Sequence, residues 1–90
     1  MKYIWNELKN RTNARKHKVT FEEAQSVLQS GDYLAVIDTS SDEERFKAIG
    51  ISKIHNILLV IYMYRDENII RIISARKATP REVKLWQNEK

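Results

Sequence analysis

The spacing of apolar positions changes along this chain, and each change marks an element. Lys2–Trp5 reads as a short strand. From Glu7 to about His17 only Leu8 and Ala14 interrupt a polar run, and Asn6 stands where an N-cap belongs, so the pattern predicts a helix on the surface. Thr20 and Glu23 then form T-x-x-E, a capping box, ahead of Phe21, Ala24, Val27 and Leu28 at core-helix spacing, and Gly31 is the natural C-cap. The middle of the chain turns to β. Leu34–Thr39, Glu44–Ile51, Ile57–Arg65 and Ile69–Lys77 are rich in branched and aromatic residues. Their connections, at Ser40–Ser41, around His55–Asn56 and at Asp66–Asn68, are too short for crossovers and predict an antiparallel meander. Ile57–Arg65 and Ile69–Lys77 are apolar almost throughout, as expected of central strands covered on both faces. Thr79, Pro80 and Glu82 open a last helix with a second capping box, and Val83 and Trp86 should face the sheet. The expected fold is a single α+β domain over residues 1–90, ordered β-α-α-β-β-β-β-α, with a twisted antiparallel sheet packed by helices.

Composition narrows the function classes. Ninety residues bury a modest core, and 42% hydrophobic content excludes a disordered chain. There is no cysteine, hence no disulfide frame and no thiolate metal site, which fits the cytoplasm. The N-terminus lacks a signal-peptide core, and the run Ile57–Tyr64 is too short to span a bilayer, so no membrane role is expected. Sixteen Lys and Arg against twelve acids give a net charge of +4, which favours an anionic partner. The distribution says more than the total. Lys9–Lys18 carries five Lys/Arg, one His and no acid, and Arg71–Arg81 carries four Lys/Arg and no acid. Two such segments, meeting in space, would make one anion-binding surface.

Several segments are similar to those of a known family. Lys16–Ala24 resembles the "KHGVSFEEA" segment of BrnT-type toxins, Glu44–Gly50 their "ERFIALG" strand, Leu58–Tyr62 the strand that follows, and Arg71–Thr79 their "RIISARKAT" segment. Trp5 and Lys9 match the family's opening and Glu82 its last helix. One departure stands out: Lys18 replaces the glycine that often follows the histidine, and a positive φ there would strain it. The resemblance implies a RelE-like fold, ribonuclease activity without metal or other cofactor, and a bacterial cytoplasm. It also implies a cognate BrnA-like antitoxin with a ribbon-helix-helix region, a 2:2 heterotetramer, and operator DNA contacted only through that antitoxin.

Cleaving RNA without a metal takes a base for the 2′-hydroxyl, an acid for the leaving 5′-oxygen and cations for the phosphate. His17, Arg45 and Arg76 are the catalytic candidates. His17 lies among Arg15, Lys16 and Lys18, and its imidazole suits proton transfer. The alternative is that it complements a helix C-terminus. Arg45, Arg71 and Arg76 sit on expected strands, where a planar fork could clamp a phosphate; pairing with Glu44 or Glu82 is the alternative, stronger for Arg71. Arg71 and Arg76 are five apart, so a regular strand sends them to opposite faces, and a β-bulge between them would reunite them. Lys9, Arg15, Lys16, Arg71, Ser74 and Lys77 are candidate RNA contacts. Tyr62 and Tyr64, on one face of their strand, could stack on an unpaired base, or pack in the core. Trp5 and Trp86 read as core. Asp38, Asp42, Glu43 and Glu44 cluster in sequence without histidine at metal-site spacing, so no metal site is expected. There is no glycine-rich phosphate loop. Two further readings compete with the ribonuclease: a non-catalytic module that still binds the antitoxin and tunes operator binding, and a small sheet protein that holds nucleic acid electrostatically.

Overall fold

The computed structural model describes residues 1–40 and 42–89. Among these residues the chain forms β1 (Lys2–Ile4), α1 (Glu7–His17), α2 (Phe21–Ser30), β2 (Tyr33–Asp38), β3 (Arg45–Ile51), β4 (Ile57–Asp66), β5 (Ile69–Lys77) and α3 (Pro80–Asn88). The expected element order holds, with ends moved by a residue or so. Ser41, read as part of the β2–β3 connection, lies outside the described residues.

The four later strands make the antiparallel meander, in sheet order β1-β5-β4-β3-β2. β1 adds itself to the far edge in parallel with β5, pairing Ile4 with Arg71, so the sheet is mixed. α1 and α2 carry the chain from β1 to β2 at the opposite edge, and the meander then returns it to β5 beside β1.

The period-two alternation sorts side chains onto two faces. On one face Ala48, Leu58, Val60, Tyr62, Ile70, Ile72 and Ala75 meet Phe21, Ala24, Val27 and Leu28 of α2 in the main core. On the other, Ile49 and Leu59 pack against Trp86 of α3. α3 covers only that end, so the rest of the second face is not closed by a helix.

α1 docks differently from α2. Its buried residues are Asn10 and Asn13, while Leu8 is 71% exposed. Asn13 Nδ2 donates to the carbonyls of Val19 (2.8 Å) and Ala75 (2.7 Å), and its Oδ1 accepts from the Ala75 N–H at 3.3 Å. The amide thus completes the β5 edge beyond the end of β1. Asn10 Oδ1 accepts from the Phe21 N–H at 2.8 Å, and its Nδ2 donates to Glu22 at 2.9 Å. With Leu8 and Ala14 its chief apolar positions, the helix lies on the surface as expected, and side-chain amides hold it to the rest of the fold.

The helix caps agree in part with the sequence. Thr79 and Glu82 close a full capping box at α3. At α2 only half forms: Thr20 Oγ1 accepts from the Glu23 N–H, but the Glu23 carboxylate turns inward and accepts from Ser52 Oγ (2.7 Å) and Asn56 Nδ2 (3.0 Å). It pins the β3–β4 turn to α2 instead.

Candidate functional site

The strand β5 holds the key irregularity. Ser74 pairs with Ile61 and Ile72 with Tyr62, so Ile73 is an extra residue. Such a bulge resets the alternation. Ile70, Ile72 and Ala75 all enter the main core, which turns Arg71 and Arg76 to the second face together. The five-residue spacing is thereby reconciled, but the two arginines lie in different surroundings.

Arg76 sits under the start of α3. Its guanidinium donates twice to Glu82, at 2.8 and 3.0 Å. These hydrogen bonds hold the Glu82 carboxyl below its ordinary range and raise the already high Arg76 value. Arg76 is therefore a fastener between β5 and α3, and it lines neither cleft described below. Arg76, a catalytic candidate from the sequence, is thus paired, whereas Arg71 makes no ion pair among the described residues.

Arg71 lies in the open half of the second face. Met63 pairs with both Arg71 and Arg45's neighbourhood: Phe46 faces Tyr62, so Arg45 falls beside Met63 one step on. Arg45, Met63 and Arg71 form one cross-strand row. They line a cleft of about 240 Å³ with Lys9, Glu43, Ile72 and Ile73. Arg45 approaches Glu43 at 3.6 Å, and its buried Nε has no hydrogen-bond partner among the described residues. A second cleft, of about 330 Å³, runs between α1 and β5 and is lined by Leu8, Lys9, Thr12, Asn13, Lys16, His17, Ile73 and Ser74. Lys9 and Ile73 line both clefts. The two basic segments of the sequence are thus brought to one groove, with Arg45 on its far wall.

His17 occupies the last turn of α1, where Arg15 and Lys16 are also found. Lys18 closes the helix in the left-handed region, at φ 61° and ψ 28°, and its N–H donates to Ala14. The expected positive φ at this site is present, on a residue that is not glycine.

Other sequence candidates fall elsewhere. Tyr62 is 2% exposed and stacks on Phe46 at 5.6 Å in the main core. Burial raises its phenol far above the ordinary value. It cannot hold a base, because the face it occupies is filled by α2. Tyr64 is partly exposed but packs edge-on against Phe46 and Tyr62 on that same face. Arg15 and Lys77 are exposed and line neither cleft. Asn13 was not a candidate, yet it borders the groove and ties α1 to β5; its only sequence signal is a polar residue on what proves to be the inner face of α1. Among the described residues, no three His, Cys, Asp or Glu gather closely enough to hold a metal ion.

Residues 5–82 match the model of the family described as the ribonuclease toxin BrnT of type II toxin–antitoxin systems. The chain belongs to the BrnT family. The match includes α1, the bulged β5 and the Glu82 fastener. Among solved structures, the BrnT ribonuclease toxin of Brucella abortus is similar, with 28% identity and a TM-score of 0.71 over 88% of this chain and 97% of that one. No curated protein matches by sequence. A type II toxin of the BrnT family has an antitoxin as its partner. No helix of the described residues is long and apolar enough to cross a membrane.

Proposed function

We propose that this BrnT-family chain is a metal-independent RNA endonuclease, and that the joined groove between α1 and the uncovered half of the sheet is its site. The observation that carries the reading is that Lys9 and Ile73 line both clefts, so His17 and Lys16 share one groove with Arg45 and Arg71. The scissile phosphate lies on the arginine row, where a planar guanidinium can meet two of its oxygens. Arg45 Nε, buried and without a partner among the described residues, supplies a donor aimed by a strand. His17, with Lys16 beside it, takes the proton of the attacking 2′-hydroxyl, and a water molecule gives one to the leaving 5′-oxygen. Lys9 bridges the two regions, and Ser74 on the groove wall hydrogen-bonds the ribose or phosphate. The products are a 2′,3′-cyclic phosphate and a free 5′-hydroxyl. The nucleophile comes from the RNA itself, so the reaction asks the protein for proton transfer and charge stabilisation.

A BrnA-like ribbon-helix-helix antitoxin silences this activity in a 2:2 assembly in the cytoplasm and carries any operator contact. Released toxin cuts RNA, lowers translation and stops growth. The test is cleavage of RNA in EDTA, with product ends identified, by the wild type and by His17→Ala, Arg45→Ala and Arg71→Ala. The expectation is cleavage that survives EDTA and falls by about a hundredfold or more in the His17 variant. Cleavage that disappears in EDTA removes the metal-free mechanism. Unchanged rates in His17→Ala and Arg45→Ala place the chemistry elsewhere. A folded wild type that binds RNA and antitoxin but cuts nothing favours a non-catalytic module.

A further inference from the structure

A third cleft adjoins the groove. It holds about 270 Å³ and is lined by Ile4, Trp5, Asn6, Arg65 and Arg71. Arg71 lines this cleft and the Arg45 cleft alike, so the three are successive stations on one track. The fold explains the meeting. Ile4 is the β1 partner of Arg71, and Trp5 and Asn6 carry the chain from β1 into α1. Arg65 follows Met63, the β4 partner of Arg71, by two positions, and the register slips at Arg65 between Tyr64 and Asp66. A slip of this kind re-aims a side chain at a sheet edge.

The lining has two characters. Ile4 and Trp5 give an apolar wall, and Trp5 is held in place by an edge contact to Phe21 at 6.1 Å and by its Nε1–H donating to Glu7 at 3.1 Å. Arg65 and Arg71 give a cationic wall. Neither arginine makes an ion pair among the described residues, and no carboxylate lines the cleft. An aromatic and aliphatic surface beside guanidinium groups suits an unpaired base and its phosphate. A protein segment with an acidic side chain is the competing occupant, and the experiment below separates the two.

We propose that this cleft is a subsite for the nucleotide that flanks the scissile phosphate, with its base on the Ile4–Trp5 wall and its phosphate on Arg65. The proposal rests on the nuclease reading of the neighbouring groove. Arg71 lines both stations, so a strand that occupies the two passes it. Arg65 is then a binding residue that extends the contact with longer RNA and takes no part in the chemistry.

The experiment compares the wild type with Arg65→Ala in EDTA, on a dinucleotide and on the same step extended at its 5′ or its 3′ end. Arg65 is exposed, so the variant should fold, and its thermal midpoint is measured alongside. In the wild type, extension at one end lowers KM. In Arg65→Ala that gain falls by about tenfold, while kcat/KM on the dinucleotide stays within about twofold, and the salt dependence of binding the longer RNA loses a slope of about 0.7, the value of one phosphate contact on a single strand. Equal gains from extension in both proteins overturn the subsite. So does an equal loss on the dinucleotide, which would put Arg65 at the reacting phosphate. Unaltered RNA kinetics combined with weaker neutralisation by the antitoxin would assign the cleft to that partner instead. A wild type that cuts no RNA defeats the nuclease reading itself, an outcome separate from these.

Discussion

Replacing Asn13 with alanine should cost this domain a large part of its stability, although the residue lies on its most polar helix. The side chain is 8% exposed and serves three backbone groups: the Val19 carbonyl at 2.8 Å, the Ala75 carbonyl at 2.7 Å and the Ala75 N–H at 3.3 Å. Alanine removes both the donor and the acceptor without filling the space. Each buried polar group that loses its partner costs about 1–3 kcal/mol. The third bond is long, and Asn13 borders a cleft that water can reach, so the low end applies and the sum is about 3 kcal/mol. A domain of this length has roughly 5–13 kcal/mol in all. At roughly 4–8 °C per kcal/mol the thermal midpoint should fall by roughly 12–24 °C. Urea unfolding at neutral pH, with Arg11→Ala as an exposed control on the same helix, measures the effect. Asn13→Asp sharpens it. The carboxylate keeps an acceptor for the Ala75 N–H but faces two carbonyls with no hydrogen to give. The folded state should therefore hold that proton more tightly than the unfolded chain, so stability falls as pH rises through the acid range. A loss below about 1 kcal/mol in Asn13→Ala, or an Asn13→Asp variant indifferent to acid, refutes the view that this amide holds α1 to the sheet.

Arg76→Ala should leave RNA cleavage within a few fold of wild type while lowering stability by about 1 kcal/mol, a modest figure because the pair is partly exposed; a hundredfold loss of cleavage would return Arg76 to the chemistry. Glu82 is held below its ordinary range chiefly by the hydrogen bonds from Arg76, and Asp38 chiefly by those from Ser40. Both carboxylates thus stabilise the fold above the pKa of the unfolded chain, and that contribution is lost as pH falls through their lower folded values. Urea midpoints between neutrality and about pH 3 should therefore decline, less steeply in Glu82→Gln. Gly50→Ala should destabilise by about 1–3 kcal/mol, since a Cβ there would stand 2.9 Å from Tyr33 Cβ and 3.0 Å from Val27 Cγ1; equal chemical-denaturation midpoints would show that α2 yields. Lys18→Gly should raise the thermal midpoint, because it relieves the left-handed backbone by about 1 kcal/mol; a lower midpoint would mean that the lysine side chain gives back more than the strain costs.

The order of elements was legible because each sequence signal is local: the cap at Thr79, the core spacing from Phe21, the short polar joins between strands. What escaped the reading is non-local. Nothing in the polar run Glu7–His17 says that two of its asparagines turn inward, since their partners, Val19, Phe21 and Ala75, lie 6, 11 and 62 residues away. β1 looks like any short strand until its parallel neighbour is known. The T-x-x-E at Thr20 has the letters of a capping box, but Ser52 and Asn56 compete for the same carboxylate and win. For the candidate site, charge counting picked two segments that the fold brings to one groove, but it could not say which arginine is paired. The alternation of β5 could not fix the faces of Arg71 and Arg76, because a bulge at Ile73 adds one residue to the count. The tyrosines were assigned correctly to one face, but which face the helices fill is settled by Ile70, Ile72 and Ala75 on the next strand.

That division of faces bears on why the groove is basic at all. The main core takes most of one side of the sheet, and Trp86 closes only the Ile49–Leu59 end of the other. The remaining surface presents Lys9, Arg45 and Arg71, with Glu43 the acid on its rim. Gathering like charges on a rigid sheet works against folding. A structural purpose would have paired them, as Glu82 pairs Arg76 a few residues away on the same strand. The contrast between a satisfied Arg76 and the under-satisfied Arg45 and Arg71, on one face of one sheet, is the physical ground for reading the open half as a place kept ready for an anion. By the same argument a polyanion should stabilise this chain against heat, and the gain should shrink in Arg71→Ala but persist in Arg76→Ala.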